Sequence, residues 1–144
     1  MSTTPAYRRL LVATDFSATG RAAEEHALGL AERLGASCLL LHVIEAIDGD
    51  DEDISNFYKS LEERAQTQFE PVLKRFANAG VECQARTAVG QRWQKIVEVA
   101  ESEGFDLIAV GSRSLSGDRP SFGTTSHRVF FATHVPLLVV RTED

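Results

Sequence analysis

Three features of the sequence predict an α/β fold in which a parallel sheet lies between two layers of helices. Short apolar runs alternate with amphipathic segments of helical spacing along the whole chain. The runs are near-continuous, as strands buried on both faces require, rather than alternating apolar with polar. Glycines stand at many of the junctions.

The first strand is Leu10-Leu11-Val12-Ala13, closed by Thr14-Asp15-Phe16-Ser17, where Ser17 is placed to cap a helix. Ala23, Ala27, Leu30, Ala31 and Leu34 follow at helical spacing, and Gly35 supplies the stop. Cys38 to Ile44 is a second buried strand. The acidic stretch Asp48 to Asp53 leads into a long helix bearing Phe57, Leu61, Ala65, Phe69, Val72 and Phe76. Acids complement the dipole at such a start, and Pro71 is expected to bend the helix or divide it in two. Val81 to Val89 is a more polar strand that suits a sheet edge. Gly90 turns the chain into a helix carrying Trp93, Ile96, Val97 and Ala100, which Gly104 ends. Leu107 to Val110 make a fourth strand, stopping at Gly111. Gly123 to Thr133 form a short fourth helix, and Leu137 to Val140 the fifth strand. With no repeat or linker, residues 1–144 read as one domain.

Composition narrows the function classes. The hydrophobic share of 43% and charged share of 25% are those of a globular protein, and no apolar run reaches the ~20 residues of a membrane span. The start, Met1 to Pro5, lacks the layout of a secretory signal, so a cytoplasmic location is expected. A formal net charge of −6 argues against nucleic acid as a partner. Cys38 and Cys83 have no metal or redox spacing and read as small buried hydrophobes. His26, His42, His127 and His134 likewise show no metal spacing, and His42 is expected as a hydrogen-bonded core residue. The run Asp48 to Asp53 lacks the glycine a calcium loop needs at its sixth position.

The chemistry concentrates after the fourth strand. Gly111-Ser112-Arg113-Ser114 opens a loop of small and hydroxyl residues, and Gly123-Thr124-Thr125-Ser126 opens the next helix. Arg113, Arg119 and Arg128 face Asp118 alone between Gly111 and Arg128. Strand, small-residue loop and helix start form a device for holding a phosphate, because free N–H groups and the helix dipole converge there. Capping of the helix by Thr124 or Ser126 would use the same donors.

Four segments together resemble the universal stress protein family: Leu11 to Ser17, Leu40 to Val43, Phe105 to Arg113, and Val135 to Arg141. The resemblance implies a Rossmann-like, five-stranded parallel sheet in the order 3-2-1-4-5. It also implies a homodimer and, for many members, ATP binding. With strand 1 beside strand 4, the winding reverses between Asp15 and Gly111, and ligands of open parallel sheets bind at such a point. Carried over, the family site uses Asp15 with the backbone of Ala13 and Thr14 at the adenosine end. Val43 adds backbone contacts to the adenine. Gly111 and Arg113 start the phosphate loop. Gly123, Thr124, Thr125 and Ser126 offer donors to the phosphates, and Gly90 lies near the pocket. Magnesium would enter only with the nucleotide.

The family's ATP pattern is Gly, two residues, Gly, nine residues, Gly, then Ser or Thr. Here Ser114 replaces the second glycine, and eight residues separate it from Gly123. The expectation is a nucleotide-binding protein of stress response or signalling, with ATP hydrolysis weak at most. No nucleophile elbow, P-loop lysine or cysteine–histidine motif is present. The alternative is a nucleotide-free dimeric interaction module with a degenerate phosphate loop. An edge strand at Leu137, Leu138, Val139 and Val140 would pair with a second copy and so cover its open backbone.

Overall fold

The protein is described by a computed structural model covering residues 4–45, 52–113 and 124–142. Five strands and four helices alternate strictly: β1 (Arg9–Ala13), α1 (Ala18–Leu34), β2 (Ser37–Glu45), α2 (Glu52–Asn78), β3 (Cys83–Gly90), α3 (Arg92–Ser102), β4 (Leu107–Arg113), α4 (Thr124–Ala132) and β5 (Leu137–Thr142). The strands form one sheet in the order β3-β2-β1-β4-β5, and every pairing is parallel. The predicted fold class and strand order are those observed.

Side-chain alternation divides the core into two layers. Leu10, Val12 and Leu40 point to one face, where Ala23, Ala27 and Ala31 of α1 and Phe69, Val72 and Phe76 of α2 cover them. Leu11, Leu39, Leu41 and Val43 point to the other, under Ile96, Val99 and Ala100 of α3 and Val129 of α4. Three alanines on one stripe let α1 lie close to the sheet, while the large rings of α2 fill the wider gap. Phe69 and Phe76 are fully buried, each contributing about 2–3 kcal/mol in area removed from water. Gly35 closes α1 in the left-handed region at φ 67°, as its position suggests.

Two expectations need correction. The first is one half of the Pro71 expectation, a bend or a division: α2 is one helix from Glu52 to Asn78, so the proline does not divide it. A proline removes one N–H, here the bond to the Thr67 carbonyl, and the buried Phe69, Val72 and Phe76 hold the helix on both sides of it. The second is that β4 does not stop at Gly111. It continues to Arg113, because β5 goes on pairing with it at Gly111–Val140, Ser112–Arg141 and Arg113–Thr142. A backbone ladder needs no apolar side chain, so the end of the apolar run underestimates the strand.

Cys38 and Cys83 sit side by side in register on β2 and β3 as free thiols. Burial pushes each up to about 12, which suits inert packing groups. No helix among the described residues is long and apolar enough to cross a membrane. The acidic residues Asp48 to Asp51 lie outside the described residues, as do Ser114, Gly123 and the stretch between them.

Candidate functional site

The turn after β1 is organised by Thr14. Its amide donates to the Leu41 carbonyl at 3.0 Å, tying the end of β1 to β2. Its hydroxyl donates to the buried Glu24 carboxyl of α1 at 2.6 Å and accepts from the Phe16 amide at 3.1 Å. Its carbonyl accepts from His42 Nδ1 at 2.9 Å, which gives His42 the expected hydrogen-bonded place. Every polar atom of Thr14 is therefore spent on the frame. Phe16 holds a positive φ of 65°, a strained conformation for a bulky residue. Its ring packs on His42 and Phe69 with centroids 4.8 and 5.1 Å apart, and that packing pins the turn against α2.

The same turn projects Asp15 outward. Ser17 donates to Asp15 Oδ1 through its amide at 3.0 Å and through its hydroxyl, and Ser17 Oγ also accepts from the Gly20 amide at 3.4 Å, the expected N-cap. Burial alone would raise the Asp15 carboxyl. Ser17's two donors and the Arg92 guanidinium outweigh it and hold the group below the usual carboxylate range. Oδ2 of Asp15 makes no hydrogen bond among the described residues. Asp15 thus offers a permanent negative charge with one open acceptor.

A crevice enclosing about 70 Å³ opens beyond the carboxyl ends of β1 and β4, where the winding of the sheet reverses. Six of the residues singled out from the sequence line it: Ala13, Thr14, Asp15, Val43, Gly111 and Thr125. Leu41, Val110 and Ile96 add an apolar wall. Sequence reasoning missed Thr19, Gly20 and Arg92, which also line it. The signal for them lay in the helix starts that follow β1 and β3, not in the loop after β4.

The crevice depends on two missing side chains. A Cβ on Gly111 would lie 2.1 Å from the Thr19 carbonyl oxygen and 2.6 Å from its carbon. One on Gly20 would lie 2.7 Å from Thr14 Oγ1 and 2.8 Å from Asp15 Oδ1. Gly111 lets the first turn of α1 touch β4, and Gly20 lets that helix close over the Thr14–Asp15 turn.

The remaining predicted residues are placed differently. Gly90 ends β3, with Lys95 against it, and is not among the walls of the crevice. Ser126 is 1% exposed, within α4 rather than on the crevice surface. Arg113 is the last residue of β4 and Thr124 the first of α4, and their side chains lie outside the described set, as do Ser114 and Gly123 entirely. Among the described residues no three His, Cys, Asp or Glu side chains gather to hold a metal ion.

The comparisons with known proteins agree with this architecture. The model of the universal stress protein family matches residues 6–141. Universal stress protein MJ0577 of Methanocaldococcus jannaschii is 26% identical over 157 residues, covering 96% of this chain and 97% of its own. The solved structure of MJ0577 superimposes with a TM-score of 0.81 at 27% identity, covering 96% of this chain and 98% of that one. A universal stress protein in complex with cAMP has a TM-score of 0.77 at 21% identity, covering 96% and 99%. A universal stress protein family protein from Arabidopsis thaliana with AMP bound has a TM-score of 0.70 at 20% identity, covering 94% and 92%. The last two likenesses are of fold alone. With the family model spanning nearly the whole chain, on the strand order that the four segments implied, this protein belongs to the universal stress protein family.

Proposed function

We propose that this chain binds an adenine nucleotide, ATP or a related one, in the crevice between β1 and β4, and that it acts in stress response or signalling by binding rather than by turnover. The observation that carries the reading is Asp15. It is an ionised carboxylate with one open oxygen, in a crevice whose walls combine apolar side chains, two glycines, three threonines and Arg92. Such a carboxylate accepts hydrogen bonds from ribose hydroxyls, while Leu41, Val110 and Ile96 offer a flat apolar seat for a base. Thr125, in the first turn of α4, supplies a hydroxyl beside a helix start where phosphate is favoured. The cAMP and AMP complexes of two proteins of the same fold support an adenine nucleotide. Magnesium would accompany a triphosphate only. The residues that would complete the phosphate loop, Arg113, Ser114, Gly123 and Thr124, belong to the proposal on the strength of the family pattern.

Calorimetric titration with ATP, AMP and cAMP, with mass spectrometry of gently purified protein, tests it. Saturable binding of at least one nucleotide, weakened by Asp15→Asn, is expected. Silence in all of them leaves the second reading, a nucleotide-free interaction module. One observation favours that alternative: the Thr14 hydroxyl and carbonyl are already consumed by Glu24, Phe16 and His42.

In either reading a second copy of the chain pairs along β5, which is an edge of the sheet. Leu137, Leu138 and Val139 there are only partly covered. Pairing about a twofold axis would bury them and satisfy the open edge. Sedimentation of the wild type against a Val139→Lys variant reads this directly. A dimer converted to monomer is expected, and a monomeric wild type would refute it.

A further inference from the structure

Beside the crevice lies a second concavity, lined by Glu45, Gln91, Arg92, Trp93, Thr125 and Arg128. Arg92 and Thr125 line both, so the two adjoin. Two features of this corner favour an anion. Arg92 is the first residue of α3, a cation at the positive end of a helix dipole. The preceding residue, Gln91, stands at the N-cap with φ −77° and ψ 132° yet makes no side-chain cap bond, so the first amides of α3 go unanswered by it. The countercharges at hand are Asp15, whose carboxylate Arg92 stabilises, and Glu45. Glu45 approaches Arg92 only to 3.8 Å, with both side chains well exposed, and Arg128 has no ion-pair partner among the described residues.

We infer that Arg92 and Arg128, with Thr125 and the start of α3, form an oxyanion subsite that takes a phosphate group at the flank of the crevice. Arg92 of α3 and Arg128 and Thr125 of α4 line this one concavity, and guanidiniums pair with phosphate through two parallel bonds. This flank draws on α3 and α4 and does not use Ser114. The inference rests on the nucleotide reading only for which molecule brings the phosphate. That molecule is an adenine nucleotide whose base occupies the crevice.

Trp93 is the only tryptophan of the chain, so its emission reports on this corner alone. Titration with inorganic pyrophosphate is expected to change that emission saturably. In the Arg92→Gln/Arg128→Gln double variant the half-saturating concentration should rise about tenfold or more. Arg141→Gln, an exposed arginine on β5, should leave it unchanged. Thermal unfolding of each variant verifies the fold. A second arm compares AMP with adenosine by calorimetry, and the wild type should prefer AMP while the double variant loses that preference. A linear, unsaturable response in the wild type overturns the subsite, as does an unchanged response in the double variant. Saturable pyrophosphate binding without any binding of ATP, AMP, cAMP or adenosine keeps the subsite for free oxyanions and overturns the nucleotide reading instead.

Discussion

The two helix starts that border the crevice are built in opposite ways. At α1, Ser17 caps the Gly20 amide and at the same time holds Asp15, so the donors of the first turn answer to side chains of the same loop. At α3, Gln91 makes no cap and a cation follows it. The first start is closed on itself and presents a negative charge, and the second is open and presents a positive one. A ligand with hydroxyls at one end and an anion at the other would find complementary groups at both. Uniform capping would have produced a more stable protein with nothing to offer a ligand, because orphan N–H groups are what bind anions.

The largest effect should come from filling the gap that lets α1 meet the sheet. Gly111→Ala places a Cβ 2.1 Å from the Thr19 carbonyl, a backbone atom that cannot rotate away. Urea unfolding should report a loss of about 3 kcal/mol, the upper end for overpacking. A variant as stable as the wild type would mean that α1 does not need to lie so close. Smaller changes address the caps themselves. Ser17→Ala should cost about 1 kcal/mol by removing the α1 cap and should also raise the Asp15 carboxyl toward its ordinary value, read by carboxyl NMR titration. Gln91→Ser should do the reverse at α3. It should gain about 0.5 kcal/mol in the same unfolding assay while weakening pyrophosphate binding, since the new cap competes for the same amides. A gain in stability with unchanged anion binding would break the contrast between the two starts.

The mildest test is of pH. Burial raises the Glu24 carboxyl, although the Thr14 hydroxyl donates to it. A folded-state value above the unfolded one means a contribution fully present below the unfolded glutamate range and lost as pH rises through the folded value. Glu24→Gln should therefore match the wild type in acid and exceed it at neutral pH, where only the wild type carries a buried charge. Melting temperatures across that range provide the reading, and a gap that widens toward acid would contradict it.

Much of this architecture is legible in the sequence. The apolar strands, the Ser17 cap, the Gly35 stop and the meeting of Asp15 with Gly111 are consequences of local chemistry or of strand order, and local patterns carry both. Less legible were Gly20 and Arg92. Their importance depends on which helix face approaches which turn, a long-range fact that no spacing encodes. The extension of β4 to Arg113 was hidden for a similar reason, because its cause is the partner strand β5. Ser126 is less exposed than its neighbours in sequence suggest, because the turn of α4 buries it.

Backbone amide NMR of the full chain, titrated with AMP and with ATP, tests the central claim most directly. The account predicts that the amides of Ala13, Asp15, Gly111 and Thr125 shift saturably with one of the two, while those of Tyr7, Phe105 and His134 at the opposite end of the sheet stay in place. Shifts confined to that opposite end, or no shifts at all, would contradict it.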